Sequence, residues 1–354
     1  MAHKIWLMEG LSSQRDIIQG INTFAKNKDT DIFVIASHRN ERNEILSQAD
    51  LAVLEPKEEE QRLSFILSLV KRLDIQAIHT GRNSLWFESH RNEIECSGVK
   101  LTTGAHSVAR LELADDKVSF AQFMEQQNLP VVPSIRVESL SELFHFITHS
   151  PFGLKPLCVK PVKGIYGMGF WRFDDKVSAM AAFTHPENRR VNPHLYLRAL
   201  EESDSFEPLV LMPYLPGPEY SVDMLVERGK VLAAVARRKE GALQSLENAG
   251  EAYELGRACA EAMQADGLVN VQTRHNDSGK PELLEINMRP SGGIGYTRFS
   301  GVNLPGLFAL RQLGLMSQQE VMDELRSAFT PAIVRSITDV VRYSPTLTNL
   351  LPQE

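Results

Sequence analysis

The sequence predicts two architectures in series, an α/β first third and an α+β remainder. Three observations carry this reading. Short apolar runs alternate with amphipathic segments through about residue 80. From "LPVVPS" (129–134) onward, strand pairs joined by turns replace that alternation. Late in the chain, "LVNVQTR" (268–274) and "PELLEIN" (281–287) both alternate apolar and polar residues across a turn-forming "NDSGK".

In the first third, "KIWLM" (4–8), "DIFVIAS" (31–37), "LAVLE" (51–55) and "IQAIHT" (75–80) have the apolar density of buried strands. The intervening "SSQRDIIQGINTFAKN" (12–27) and "KEEEQRLSFILSLVKRL" (57–73) have helical spacing, with Ser12 or Ser13 the N-cap. Strand-helix-strand alternation implies a parallel sheet with helices on both faces. Such sheets bind ligands at the carboxyl ends of their strands, which makes "HTGRNS" (79–84) a candidate substrate loop. "MEGLSSQRD" after the first strand has one glycine where a dinucleotide fingerprint needs three.

A helix is predicted over 115–127, with Asp115 and Asp116 at its positive end and Asn128-Leu129-Pro130 stopping it. "LCVKPVKGIYGMGFWRF" (157–173) reads as strand, glycine loop and strand. "LVLMPYLPGPEYSVDMLVE" (209–227) and "KVLAAVARR" (230–238) read as a strand pair turned at Arg228-Gly229. A helix over 250–265 ends at Asp266-Gly267 and leads into the late hairpin. The segment 184–203 pads the middle of the chain, and 331–354 carries no motif.

Composition narrows the function classes. With 43% hydrophobic and 23% charged residues, the 354-residue chain is ordinary globular material for two to three domains. A net charge of -7 argues against nonspecific nucleic-acid binding. The three cysteines, Cys96, Cys158 and Cys259, form no CxxC pair, so neither a zinc knuckle nor a disulfide framework is indicated and a reducing cytoplasm is expected. No apolar run reaches the ~18 residues of a membrane span, and "MAHKIWLMEG" lacks a signal-peptide pattern.

The late hairpin carries the chemistry. Strand alternation puts Glu285, Asn287 and Arg289 on one face and Leu284, Ile286 and Met288 on the other. A turn centred between Ser278 and Gly279 pairs Asn276 with Pro281 and sets Gln272 opposite Glu285. Glutamate, glutamine and asparagine oxygens on one patch suit Mg²⁺, which takes few protein oxygens and completes its shell with phosphate and water. A plain solvated strand face is the competing explanation. Between the earlier strands, Gly164, Gly167 and Gly169 allow backbone N–H groups to approach phosphate oxygens, with Lys160 just upstream and Lys163 inside the loop.

Lys117, Lys160, the glycine loop, "LMPYLPGPEYSVD", Gln272 and "LLEINMRPSGG" occur in this order, and the order resembles the ATP-grasp superfamily. The similarity is to its carboxylate-amine or ammonia ligases, near the carbamoyl-phosphate synthase and biotin carboxylase branch, and covers roughly 110–310. The resemblance implies a Rossmann-like preceding domain (1–112), a small lobe with the glycine-rich lid (113–208), a large lobe with the metal site (209–330) and a tail (331–354). It implies that Lys117, Lys160, Lys163 and Gly164 to Gly169 contact the nucleotide's phosphates, and that Met212, Pro213, Tyr214 and Leu215 form the adenine hinge. Leu284 would lie against the nucleotide and Glu219 would hold the ribose. Gln272, Glu285 and Asn287 match the magnesium ligands, with Mn²⁺ as an alternative ion. Arg289 matches the arginine that steadies the transferred phosphoryl group, a role Arg237 or Arg238 could share. Arg82 and Arg298 are the substrate candidates.

Two positions depart from the family pattern. Met212 stands where the hinge usually begins with glutamate, which leaves the carbonyl of Pro213 to read the adenine amino group. Asn287-Met288-Arg289 replaces Asn-Pro-Arg, a change on the apolar face. The implied reaction uses ATP to activate a carboxylate as an acyl phosphate, which an amine then converts to an amide, releasing ADP and phosphate. The implied partners are small-molecule carboxylates and amines, with no membrane, and the chain could act as a homodimer. A kinase-type ATP-grasp phosphotransferase and a noncatalytic nucleotide-binding protein are the alternatives.

Overall fold

The computed structural model describes residues 2–10, 13–164, 168–338, 340–341 and 343–352. Gly167, one of the lid glycines named above, lies outside the described residues. The chain forms two compact units. Unit 1 comprises Met1–Glu112, Pro218–Gln272 and Ile286–Glu354, and unit 2 comprises Leu113–Gly217 and Thr273–Glu285.

Unit 1 begins with β1 (His3–Leu7), β2 (Ile32–His38), β3 (Leu51–Leu54), β4 (Ala77–His79) and β5 (Lys100–Thr102). They form one parallel sheet in the order β3-β2-β1-β4-β5. The first four match the predicted runs. β5 has three residues, too short to show periodicity in the sequence. Helix α1 (Gln14–Asn27) follows β1 and buries Ile17, Ile18, Ile21 and Phe24 at helical spacing. Each such side chain contributes about 1.5–3 kcal/mol of burial. Ser13 is the N-cap residue, though its side chain makes no capping bond. The opposite face of the sheet packs Trp6, Ile35, Ile66, Ile78 and Phe87 into a second core.

Unit 2 holds β6 (Ile135–Val137), β7 (Leu157–Pro161), β8 (Trp171–Phe173), β9 (Arg190–Val191) and β10 (Leu209–Pro213), ordered β6-β10-β7-β8-β9. The helix Lys117–Gln126 opens it, and the Asp116 side chain accepts from the Val118 and Ser119 backbone N–H groups at 3.1 and 2.9 Å. The predicted padding segment contains β9 and the helix Pro193–Glu201, whose Leu195, Tyr196 and Leu200 pack against this sheet's core.

The remaining strands are β11 (Glu219–Glu227), β12 (Lys230–Glu240), β13 (Leu243–Glu247), β14 (Gly267–His275), β15 (Pro281–Asn287) and β16 (Ala332–Arg335). They form a sheet ordered β15-β14-β11-β12-β13-β16, and the unit boundary crosses β14 and β15. β11 and β12 are antiparallel and turn at Arg228-Gly229, both with positive φ, as predicted. The run 209–227, by contrast, divides between two sheets. Pro213, Pro216 and Pro218 cannot donate to a ladder, so one continuous strand is interrupted there. In unit 1, β16 extends the sheet beside β13, and the backbone of Asn349–Leu351 pairs with Ala52 on the edge strand β3. The C-terminal residues thus cover an otherwise open sheet edge.

Candidate functional site

The nucleotide half of the expected site gathers in unit 2. Lys117, at the first turn of its helix, is buried, and its Nζ donates to the carbonyls of Val162 (3.1 Å) and Gly164 (3.4 Å). Burial holds its pKa below the ordinary lysine value, with Glu285 acting in the opposite direction and Lys160 reinforcing the fall. Lys160, on β7, places its Nζ 3.6 Å from Oε2 of Glu285. Two lysines, one carboxylate and the mouth of the glycine loop therefore share one locus. At the far side of that loop Gly169 has φ +73, and a Cβ there would come within 2.8 Å of the Pro161 ring. Lys163 beside the loop is exposed.

The same unit holds a buried apolar cluster. Val118, Cys158, Val162, Met212 and Leu215 are buried together, with Tyr214 and Leu284 packed against them. β10 runs antiparallel to β7 through Met212↔Cys158 and Pro213↔Leu157, so Pro213 occupies an edge of hydrogen bonding that tolerates its missing N–H. Burial pushes the Cys158 thiol up to about 12, which removes it as a nucleophile.

Two residues that sequence reasoning missed fix the hinge. The guanidinium of Arg172 lies 4.2 Å from the centre of the Tyr214 ring, and that of Arg274 lies 5.0 Å away. Arg274 also donates to the Tyr214 hydroxyl (3.1 Å) and to the Gly217 carbonyl (3.1 Å). The only sequence signal was the position of Arg274 on the polar face of its strand.

The turn between β14 and β15 corrects the predicted register. Asn276 donates its N–H to Lys280 O (2.9 Å), and Gly279 donates to Asn276 O (3.0 Å). Asn276 therefore pairs with Lys280, not with Pro281, so the pairing that sets Gln272 opposite Glu285 does not hold at the turn. The cause is Gly279 at φ +74, which closes a three-residue loop with a bulge in place of the two-residue turn assumed. Glu285, Asn287 and Gln272 are each half-buried. By side-chain chemistry alone, one carboxylate and two carboxamides offer hard oxygens of the kind Mg²⁺ takes. Among the described residues no group of three or more His, Cys, Asp or Glu could hold a metal by itself.

In unit 1, Glu219 starts β11 and accepts from Lys239 across the ladder. Arg289 follows β15 directly, its Nη1 3.4 Å from the Pro290 carbonyl. Arg237 is almost wholly enclosed. Its Nε donates to Asp223 (2.7 Å), its Nη1 to Gln244 (2.7 Å), and its Nη2 to Ser221 (3.0 Å) and Ser291 (2.9 Å). Asn270 completes the network by donating to Ser221 and Asp223. A Cβ on Gly293 would meet the guanidinium at 2.6 Å, so this glycine leaves room for it. Arg237 thus ties Ser291, in the turn that follows Arg289, to Ser221 and Asp223 of β11 and Gln244 of β13. Arg238, on the opposite face, is part-exposed and pairs with Glu240 and Glu247. Arg82 is hydrogen-bonded to Glu9, and Arg298 lies over the Phe299 ring and exerts a charge effect on Asp16.

Comparison with known proteins agrees with this fold. Residues 205–339 match the family described as ATP-grasp in the biosynthetic pathway with Ter operon. The chain is 24% identical over 238 residues to the carbamoyl phosphate synthase large chain of Pyrococcus furiosus, a match covering 61% of this chain and 20% of that one. It therefore spans about a fifth of the length of that curated relative. An N5-carboxyaminoimidazole ribonucleotide synthetase in complex with ADP superposes with a TM-score of 0.62 at 15% identity, over 89% of this chain and 78% of that chain. The biotin carboxylase domain of 2-oxoglutarate carboxylase from Hydrogenobacter thermophilus, crystallised with MgADP and bicarbonate, gives 0.62 at 17% identity, over 94% and 74%. An L-amino acid ligase from Bacillus licheniformis gives 0.59 at 15%, over 90% and 76%. The resemblance to the ATP-grasp superfamily stands, and the α/β architecture with several sheets is that of its ligases.

Proposed function

From this ATP-grasp fold and its charged locus we propose an ATP-dependent ligase that joins a small carboxylate to an amine. The observation that carries the reading is the convergence, within unit 2, of Lys117, Lys160, Glu285 and the Gly164 carbonyl, in a unit whose Met212, Leu215 and Leu284 pack together. Lys117 and Lys160 would bind the polyphosphate, and the glycine loop would cover it. The hinge Met212–Leu215 would hold the base, with Tyr214 set by Arg172 and Arg274. Glu219 would take the ribose. Glu285, Asn287 and Gln272 would hold Mg²⁺, whose charge would offset that of the phosphates.

The substrate carboxylate attacks the γ-phosphorus, forming an acyl phosphate as the bond to ADP breaks. An amine then attacks the acyl carbon, phosphate leaves and an amide forms. No protein nucleophile is required, in keeping with the burial of Cys158 and Cys259. Arg289 would offset charge on the transferred group, and Arg237 would hold its loop. Among the described residues no helix is long and apolar enough to cross a membrane.

The test is product analysis with pooled carboxylates, ATP and Mg²⁺, in the presence and absence of pooled amines. Amine-dependent release of inorganic phosphate, with hydroxylamine trapping a hydroxamate, is the expected result. Phosphate retained on the organic product would replace the ligase with a phosphotransferase.

A further inference from the structure

The C-terminal segment of unit 1 is held along the edge strand β3 as a peptide would be. The Ala52 N–H donates to Asn349 O (2.9 Å), and the Leu351 N–H donates to Ala52 O (2.8 Å). Side chains alternate along the segment: Leu347, Asn349 and Leu351 are half-buried, whereas Thr346, Thr348 and Leu350 are exposed. Leu347 packs on the core at one face of the parallel sheet and Leu351 on the core at the other.

Asn349 makes the docking selective. Its Nδ2 donates to the carbonyls of Leu46 (3.1 Å) and Ala49 (2.8 Å), at and just beyond the end of the short helix Asn43–Leu46. Carbonyls at a helix end lack intrahelical partners, so the asparagine meets a need of the body of the protein. Asn43 in turn donates to Ser344 O (2.9 Å). An extended strand paired to a sheet edge, with alternate side chains read by the surface beneath, is the pattern of peptide recognition by β-augmentation.

The seat is incompletely filled. A groove of about 280 Å³ remains between Leu350, Leu351 and Pro352 of the segment and Val53, Phe65 and Leu69 of the body. A close-packed core leaves few voids larger than a water molecule, so this contact is looser than the cores on either side. The connector 336–343, which joins the segment to β16, carries apolar side chains in water: Ile337 is 82% exposed and Tyr343 54%, and Val341 is exposed as well. Apolar side chains gathered on one exposed stretch mark a surface that another chain covers. Pro345 disfavours a helical bend at Ser344, which biases the entry to the segment toward extended backbone.

A second copy of this chain accounts for both features. When each segment leaves its own β3 and docks on the other copy's, every docked contact is re-formed, and the two connectors run side by side about a two-fold axis. Ile337, Val341 and Tyr343 then face their counterparts. We propose that Ser344–Pro352 is an exchangeable strap that docks on the β3 edge of a second copy and joins two chains through their connectors. The strap makes the same contacts in the closed monomer and in the dimer, so those contacts cancel from the association equilibrium and the connectors decide it. The strap's own contacts set how fast it detaches.

The test is sedimentation of the intact chain over a concentration series, without nucleotide. Wild type should form a dimer. A variant ended after Tyr343 should be monomeric and should bind a labelled peptide of residues 344–352. Ile337→Ser/Val341→Ser should weaken the dimer at least about ten-fold, because both copies lose the contact. Asn349→Ala should leave the dissociation constant within about two-fold while speeding the mixing of differently labelled dimers about ten-fold, since it loosens docking in both states alike. Should the shortened chain fail to fold by its urea midpoint, the connector and Asn349 variants, which keep the strap, decide the matter. A monomer at every concentration, a dimer that survives loss of the strap, an unchanged dimer in the connector variant, or a dimer weakened equally by Asn349→Ala would each overturn the proposal. Nucleotide takes no part in this measurement, so neither its success nor its failure bears on the ligase assay.

Discussion

Removing Arg237 separates a structural arginine from a catalytic one. Arg237→Met deletes a guanidinium that is bonded to Asp223, Gln244, Ser221 and Ser291. Asp223 is fully enclosed and, among the described residues, would be left with the Asn270 amide for side-chain support. Breaking a buried ion pair from one side costs about 3–5 kcal/mol, because the remaining charge stays desolvated. A domain's whole stability is about 5–15 kcal/mol, so the effect is large. Urea unfolding followed by tryptophan fluorescence measures it, since Trp6 and Trp86 both lie in unit 1, as Arg237 does. The double variant Asp223→Leu/Arg237→Met should recover part of the loss by removing both charges together. Arg237→Lys keeps the charge and loses the planar fork, and should fall between wild type and Arg237→Met. A cost below about 1 kcal/mol for Arg237→Met, with phosphate release abolished, would refute the positioning role and return Arg237 to the reacting phosphoryl group.

Other perturbations have equally definite outcomes. Burial lowers the His79 pKa to about 4, so the unfolded chain binds a proton that the native one refuses between about pH 6.5 and that value. Stability should therefore fall as pH drops through this window, by about 3 kcal/mol at its acid end, and His79→Phe should flatten that part of the urea profile. Asp116→Ala removes a helix cap and its ion pair with Arg136, and should cost about 1–2 kcal/mol by the same unfolding measurement. Cys96 is exposed whereas Cys158 and Cys259 are buried, with both thiols pushed upward in pKa by burial. A thiol-specific disulfide reagent should accordingly react quickly with Cys96 alone in the native protein and with all three after denaturation.

The strands of the first sheet were legible because burial on both faces concentrates Val, Ile, Leu and Ala into short runs, as at Ile32–His38. The hairpin around Asn276–Lys280 was legible as a hairpin but not in register, because Asn-Asp-Ser-Gly-Lys can close with two or three loop residues and Gly279 decides which. The division of 209–227 between two sheets was written in its prolines, but apolar density on both sides masked it. Lys117, Lys160 and Glu285 could be named from their order along the chain, and the structure brings these three together. From sequence, Arg237 was named only as a candidate to share the role of Arg289, and Arg274 was given no role. Their partners come from β11, β13 and Ser291 in one case, and from Tyr214 and Gly217 in the other. No local pattern records contacts between residues that far apart.

The central claim is nucleotide binding at the Lys117–Lys160–Glu285 locus. The most direct measurement is titration of wild type and Glu285→Ala with a nonhydrolysable ATP analogue, with and without Mg²⁺, read as thermal stabilisation. At ~100 times the dissociation constant, a bound ligand stabilises by about 2.7 kcal/mol. Mg²⁺-dependent stabilisation of the wild type that disappears in Glu285→Ala is the predicted result. A wild type that the analogue does not stabilise would contradict the claim.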